Sequence, residues 1–138
     1  MAIPPLVQGM LPSGIYPAAL QEVWAAFDQP GSSTRPALNE ALRHTAALIW
    51  SKDSAAILYV NGSYVTDTTD PIDVDVAARS DVWDDTLFVA TFSAAHSGEE
   101  RLVDIYFNTM QSAQHMEDLF QEVQGSPARK GIILIRPY

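Results

Sequence analysis

The stretch Ile72-Asp73-Val74-Asp75-Val76 alternates strictly between branched apolar residues and aspartates. Successive side chains of an extended chain point to opposite faces, so this pattern predicts a strand with one apolar face and one carboxylate face. Such a strand needs partners. One is supplied by Ala56-Ile57-Leu58-Tyr59-Val60, a short continuous apolar run ending in Asn61-Gly62, the mark of a buried strand that stops at a turn. Arg101–Phe107 predicts another and carries Asp104 between Val103 and Ile105; Lys130-Gly131 leads into a last one, Ile132–Ile135.

Helices surround these runs. Pro17–Phe27 spaces Leu20, Val23, Trp24 and Phe27 three and four apart, and Pro30-Gly31-Ser32-Ser33 breaks the pattern. Thr34 is placed to cap a second helix whose buried stripe is Leu38, Leu42, Ala46 and Ile49. Ser112 is placed to cap a third, with Met116, Leu119, Phe120 and Val123 on one face and Gly125 and Pro127 as its stop. Asp81–Phe92 supports either a helix, through Trp83, Leu87, Phe88 and Phe92, or a strand at Leu87-Phe88-Val89. The reading is an α+β protein, an α/β sandwich, in one domain over residues 1–138. Residues 1–16 form an extended arm rich in proline and glycine, 17–50 two N-terminal helices, and 55–138 the sheet core.

Composition narrows the chemistry. The 138 residues contain no cysteine, which excludes disulfides, thiolate metal sites and cysteine nucleophiles. No apolar run approaches the roughly 20 residues of a membrane-spanning helix, and the start Met1-Ala2-Ile3-Pro4-Pro5 lacks the features of a signal peptide. A cytoplasmic protein is expected. The formal net charge of −9 repels nucleic acid at long range, so broad nucleic-acid binding is not expected, whereas a basic protein partner suits it.

Asp73 and Asp75 stand two apart on one strand, so their side chains are expected as neighbours about 6–7 Å apart. Like charges at that distance raise each other's pKa unless a cation lies between them, and Mg²⁺ is a hard cation that takes carboxylate and phosphate oxygens. Gly62-Ser63 precedes the pair; glycine lets the backbone approach a phosphate, and the serine hydroxyl and free amides hydrogen-bond it. Asp104, a lone charge in an apolar strand, adds the third carboxylate that two-metal phosphoryl transfer uses. His44, His96 and His115 show no ligand spacing. Asp67 and Asp70 read as turn residues, Tyr64 as a packing residue, and Trp24, Trp50 and Trp83 as core.

Gly62-Ser63, nine residues, Asp73-Val74-Asp75 and then Asp104 resemble the motif of the nucleotidyltransferase superfamily, which includes polymerase β-like enzymes and the minimal nucleotidyltransferases of bacterial toxin–antitoxin pairs. Leu11-Pro12-Ser13-Gly14-Ile15-Tyr16, Leu58 to Asp67 and Lys130-Gly131-Ile132 resemble, more closely, a small bacterial family of uncharacterised nucleotidyltransferase-like proteins. The resemblance implies the minimal nucleotidyltransferase fold, a mixed sheet of about four strands with helices packed on it. It also implies that Asp73, Asp75 and Asp104 hold Mg²⁺ or Mn²⁺, that Asp104 activates the attacking hydroxyl, and that Gly62 and Ser63 hold the triphosphate of a nucleoside triphosphate. The basic residue that follows the Gly-Ser pair in well-studied minimal members is missing: no lysine or arginine lies between Lys52 and Arg79.

By that likeness the expected activity is transfer of a nucleoside monophosphate, from ATP or another triphosphate, to a hydroxyl on a protein partner such as a cognate toxin, in an antitoxin or defence role. Two alternatives stand beside it. One is a non-catalytic module of the same fold acting by protein contacts; the other is a toxin that modifies tRNA.

Overall fold

A computed structural model describes residues 3–80, 91, 93, 95–97, 100–108 and 131–135. The helix expected from Ser112 and the ambiguous segment Asp81–Phe92, apart from Thr91, lie outside these residues, as does Trp83.

Five strands form one mixed sheet in the order β1-β7-β2-β3-β6. These are β1 (Gly14–Ala18), β2 (Ile57–Asn61), β3 (Val74–Arg79), β6 (Val103–Asn108) and β7 (Gly131–Ile135). β1 runs parallel to β7 and β3 parallel to β6, while β2 is antiparallel to both β7 and β3. Two further strands of two residues each, β4 (His96–Ser97) and β5 (Glu100–Arg101), pair antiparallel in a separate sheet just before β6.

The fifth strand comes from a segment read as arm and helix. Gly14–Ala18 pairs in register with Gly131–Ile135, because Ile15 and Tyr16 are good strand formers and Pro17 is tolerated at a sheet edge, where no neighbour needs its missing N–H. The helix α1 therefore starts at Leu20 and runs to Ala26, its first turn closed by the Glu22 carboxylate accepting from the Ala19 N–H at 3.1 Å. The apolar stripe is as expected: Val23 and Phe27 are buried, with Leu20 and Trp24 half-buried.

Helix α2 spans Arg35–Lys52 and buries Leu38, Leu42, Ala46 and Ile49 against the sheet. Thr34 holds the N-cap position, yet its side chain makes no capping bond. The capping acceptor is Ser32, whose Oγ takes the Arg35 N–H at 3.1 Å, while the Asp70 carboxylate takes the Ser33 N–H at 2.7 Å. Trp50, near the other end, donates its indole N–H to the Ala56 carbonyl at 3.1 Å and ties the helix to the start of β2.

Alternation sorts the sheet into two faces. Leu58, Val60, Val74, Val76, Ala78, Val103, Ile133 and Ile135 join α1 and α2 in the main core. Tyr59, Ala77, Ile132 and Leu134 form a second buried cluster on the opposite face, with no contribution from either helix. Among the described residues no helix is long and apolar enough to cross a membrane.

Candidate metal and nucleotide site

Tyr59 and Ala77 are cross-strand partners in the second cluster, so Asn61 and Asp75, two residues further along in the same ladder, present their side chains to that same face. Asp104 is the register partner of Asp75 on the parallel neighbour β6. Three oxygen-bearing side chains thus stand in one row across β2, β3 and β6, with strands about 4.8 Å apart.

Gly62 turns the chain out of β2 with φ +83° and ψ −166°, a conformation that only glycine adopts readily. A methyl group there would sit 2.6 Å from Asp75 Oδ2. The missing side chain is the space into which Asp75 leans, toward β2 and away from Asp104. Ser63–Val65 then makes one 3₁₀ turn, its Ser63 carbonyl accepting from the Thr66 hydroxyl at 2.7 Å.

Arg35 holds the loop that follows. It is only 2% exposed, and it donates to the carbonyls of Tyr64 at 2.8 Å, Thr66 at 3.0 Å and Thr68 at 2.8 Å. Burial lowers its pKa, opposed in part by Tyr64 and Asp28. Tyr64 is buried as expected, tilted against Phe27 and hydrogen-bonded through its hydroxyl to Asn39; burial pushes its phenol pKa up.

Asp73 departs from the expected strand. β3 begins only at Val74, Ile72 is 80% exposed instead of buried, and Asp73 is half-buried at the sheet's end. The Asp70 carboxylate accepts from the Ser33 N–H at 2.7 Å, tying the preceding loop to the segment before α2 and away from the ladder. Asp73 lines a cleft of about 470 Å³ with Ser33, Thr34, Ala37, Leu38, Arg101 and Leu102. Its pKa is raised, first by burial and then by the charge of Asp104. Arg101 ion-pairs with Asp104 at 3.6 Å.

Asp73, Asp75 and Asp104 are therefore brought to one end of the sheet, but they do not converge on one point. Among the described residues no three His, Cys, Asp or Glu side chains are arranged to hold a metal ion. The donor chemistry still fits a hard cation, because the row offers oxygens and the charge of Asp104 adds to burial in raising the pKa of Asp73. Asn61, Arg35 and Arg101 were not singled out from the sequence. The phase of Asn61 with Tyr59 was a usable signal for the first; nothing local marks the other two.

The model of one family, described as a family of unknown function (DUF6932), matches residues 5–136. No curated protein and no solved structure matches the chain.

Proposed function

The chain belongs to DUF6932, a family of unknown function, and we propose that it is a Mg²⁺-dependent nucleotidyltransferase with the minimal fold of that superfamily. The observation that carries this reading is the adjacency of the Gly62-Ser63 turn, which follows β2, to Asp75 on β3 and Asp104 on β6. It supports a single ligand whose triphosphate rests at the turn while its α-phosphate lies over the carboxylates.

The transfer balances simply. An acceptor hydroxyl oxygen bonds to the α-phosphorus, the bond from that phosphorus to the bridging oxygen breaks, and pyrophosphate leaves with the electron pair. The hydroxyl proton passes to a carboxylate of the row. Bound Mg²⁺ would neutralise phosphate charge that the carboxylates repel. The side-chain space at Gly62 is taken by the Asp75 carboxylate, so Ser63 would be the residue of the turn that meets the phosphates, and Arg35 keeps the following loop in place by binding its carbonyls. The net charge of −9 favours an acceptor on a protein over one on RNA.

A non-catalytic binding module is the second reading, favoured by one observation. Arg35, a buried cation that reaches this loop, is occupied with three of its carbonyls.

The test is incubation with α-labelled nucleoside triphosphates, Mg²⁺ or Mn²⁺ and host lysate, with Asp75→Asn as control. Label on a protein that is lost in the variant supports transfer to a partner. Label on RNA moves the reading to tRNA modification. Nucleotide binding without transfer leaves the binding module.

A further inference from the structure

The N-terminal arm turns back on itself before it reaches β1. Val7 donates its N–H to the Met10 carbonyl at 2.7 Å and accepts the Met10 N–H at 3.2 Å. Gln8 and Gly9 between them have φ of 53° and 80°, as a two-residue hairpin turn requires. This tip leaves Val7 60% and Met10 36% exposed. Leading into it, Ile3, Pro4, Pro5 and Leu6 of the arm line an apolar groove of about 240 Å³ together with Ala26 and Phe27 at the end of α1. Small-molecule pockets are about 300–1,000 Å³ and place a few polar groups among apolar walls. This groove is smaller and every lining residue is apolar, so it suits one anchoring side chain of a larger partner.

The charge around the groove has one sign. Glu22 stands one helical turn before Ala26, and residues so spaced are neighbours on a helix surface. Asp28 directly follows Phe27. Asp67 reaches the arm from the other side: its N–H donates to the Gly9 carbonyl at 3.0 Å, and its carboxylate fills the side-chain space of Gly9, 2.6 Å from where a methyl group would be. Gln29 joins the two flanks by donating to the Asp67 carbonyl at 2.9 Å. Glu22, Asp28 and Asp67 are all exposed. Residues 1–34 and 53–78, which build this face, contain no lysine, arginine or histidine. The first cation of the chain, Arg35, is buried and bound to three carbonyls.

We propose that this face docks a cationic segment of a protein partner, which seats one apolar side chain between the arm and α1 and lays lysines or arginines against Glu22, Asp28 and Asp67. Charge decides among the occupants. Nucleic acid and an anionic membrane would meet like charge here. A second copy docking symmetrically would set the same carboxylates against themselves. A basic segment gains twice: the rim speeds its encounter, and the anchored side chain holds it in place. The inference goes beyond nucleotidyl transfer and does not rest on it, since a non-catalytic module would use the same face.

The experiment uses the whole chain, free of nucleotide, and short fluorescein-labelled peptides of three kinds: lysine with leucine, glutamate with leucine, and lysine with serine. Fluorescence anisotropy measures binding at low and high salt, and amide NMR maps it. Only the lysine–leucine peptide should bind tightly, less so as salt rises, with shifts gathered on residues 3–10, 26–29 and 67. Ala26→Leu fills the groove at an exposed position and should weaken binding by about tenfold or more. Asp28→Asn and Asp67→Asn should each weaken it by up to about fivefold, whereas Glu40→Gln, the same charge change on α2, should leave it unchanged. Thermal melting checks that each variant is folded, and if Asp67→Asn melts early then Asp28→Asn carries the charge test. An equal loss in Glu40→Gln means diffuse attraction and overturns the proposal. So do equal binding of either control peptide, wild-type affinity in Ala26→Leu, or no binding at all. Self-association in ultracentrifugation that Ala26→Leu abolishes gives the groove to a second copy and overturns it too. None of these failures touches the transfer reading, which the labelling assay tests separately.

Discussion

The guanidinium of Arg35 lies 5.2 Å from the centroid of the Tyr64 ring and donates to the carbonyl of that same residue at 2.8 Å. One cation thus holds a side chain and its backbone, and two further carbonyls of the same loop. The turn that begins at Gly62 is fixed from inside the protein, by the first residue of a helix.

Replacing Arg35 should therefore loosen the site before it touches any ligand. Arg35→Met leaves three carbonyls without their charged donor, and a loss on the order of 3 kcal/mol in urea unfolding is expected. Arg35→Lys should recover little of it, since a single ammonium does not reproduce a planar fork. Full recovery by lysine would show that charge alone, without geometry, holds the loop.

Gly62→Ala combines an unfavourable backbone angle with a clash against Asp75. A cost of about 1–3 kcal/mol is expected. In an Asp75→Ala background the steric part disappears and the backbone part remains, so the double-mutant cycle should show coupling of about 1 kcal/mol. Additive costs would mean that the carboxylate is free to move aside.

Two aspartates should titrate on opposite sides of the ordinary carboxylate range. Asp70 is held low, chiefly by the Ser33 N–H, with the Ser33 and Ser32 hydroxyls adding to it. A folded pKa below the unfolded one gives stability that is present above about pH 4 and lost as pH falls through the folded value. Asp73 is shifted up by burial and by Asp104. The folded protein then binds that proton more tightly than the unfolded chain, so its ionised form carries a penalty, complete above the folded pKa and relieved as pH falls. Carboxyl-detected NMR titration should place Asp73 above Asp70, and the reverse order would refute both assignments.

The same sign gives a mutational expectation. Asp73→Asn removes the repelled charge and should leave stability at neutral pH unchanged or raised, while nucleotidyl transfer falls. A destabilised Asp73→Asn protein would make Asp73 a structural residue of the cleft.

Much of this arrangement was legible in the residues, where local pattern decides. The stripes of the two N-terminal helices and the buried run before Asn61-Gly62 follow from periodicity, which burial enforces directly. Asp104 inside an apolar strand was equally plain. What escaped was set by distant partners. Gly14–Ala18 is a strand because Gly131–Ile135 lies beside it, a relation across more than a hundred residues that proline and glycine content disguises. Ile72 continues the alternation of β3 in sequence, but the contact between Asp70 and Ser33 draws the loop away before the ladder begins. Arg35 gave no hint because its three acceptors are backbone carbonyls, which every residue has. Asn61 announces a turn through the Gly62 that follows it, whereas its alternation with Tyr59 speaks for the face it occupies.

The position of β7 between β1 and β2 has a consequence for how the protein is made. Both neighbours leave the ribosome long before residues 131–135 do, and each must wait with an unpaired edge toward the strand still to come. Two open edges on a growing chain invite pairing with the wrong partner. The sheet can close only when its last described strand slots into the gap. A chain whose synthesis stops a few residues short of Ile135 would then be a substrate for chaperones or proteases, whatever the quality of the rest.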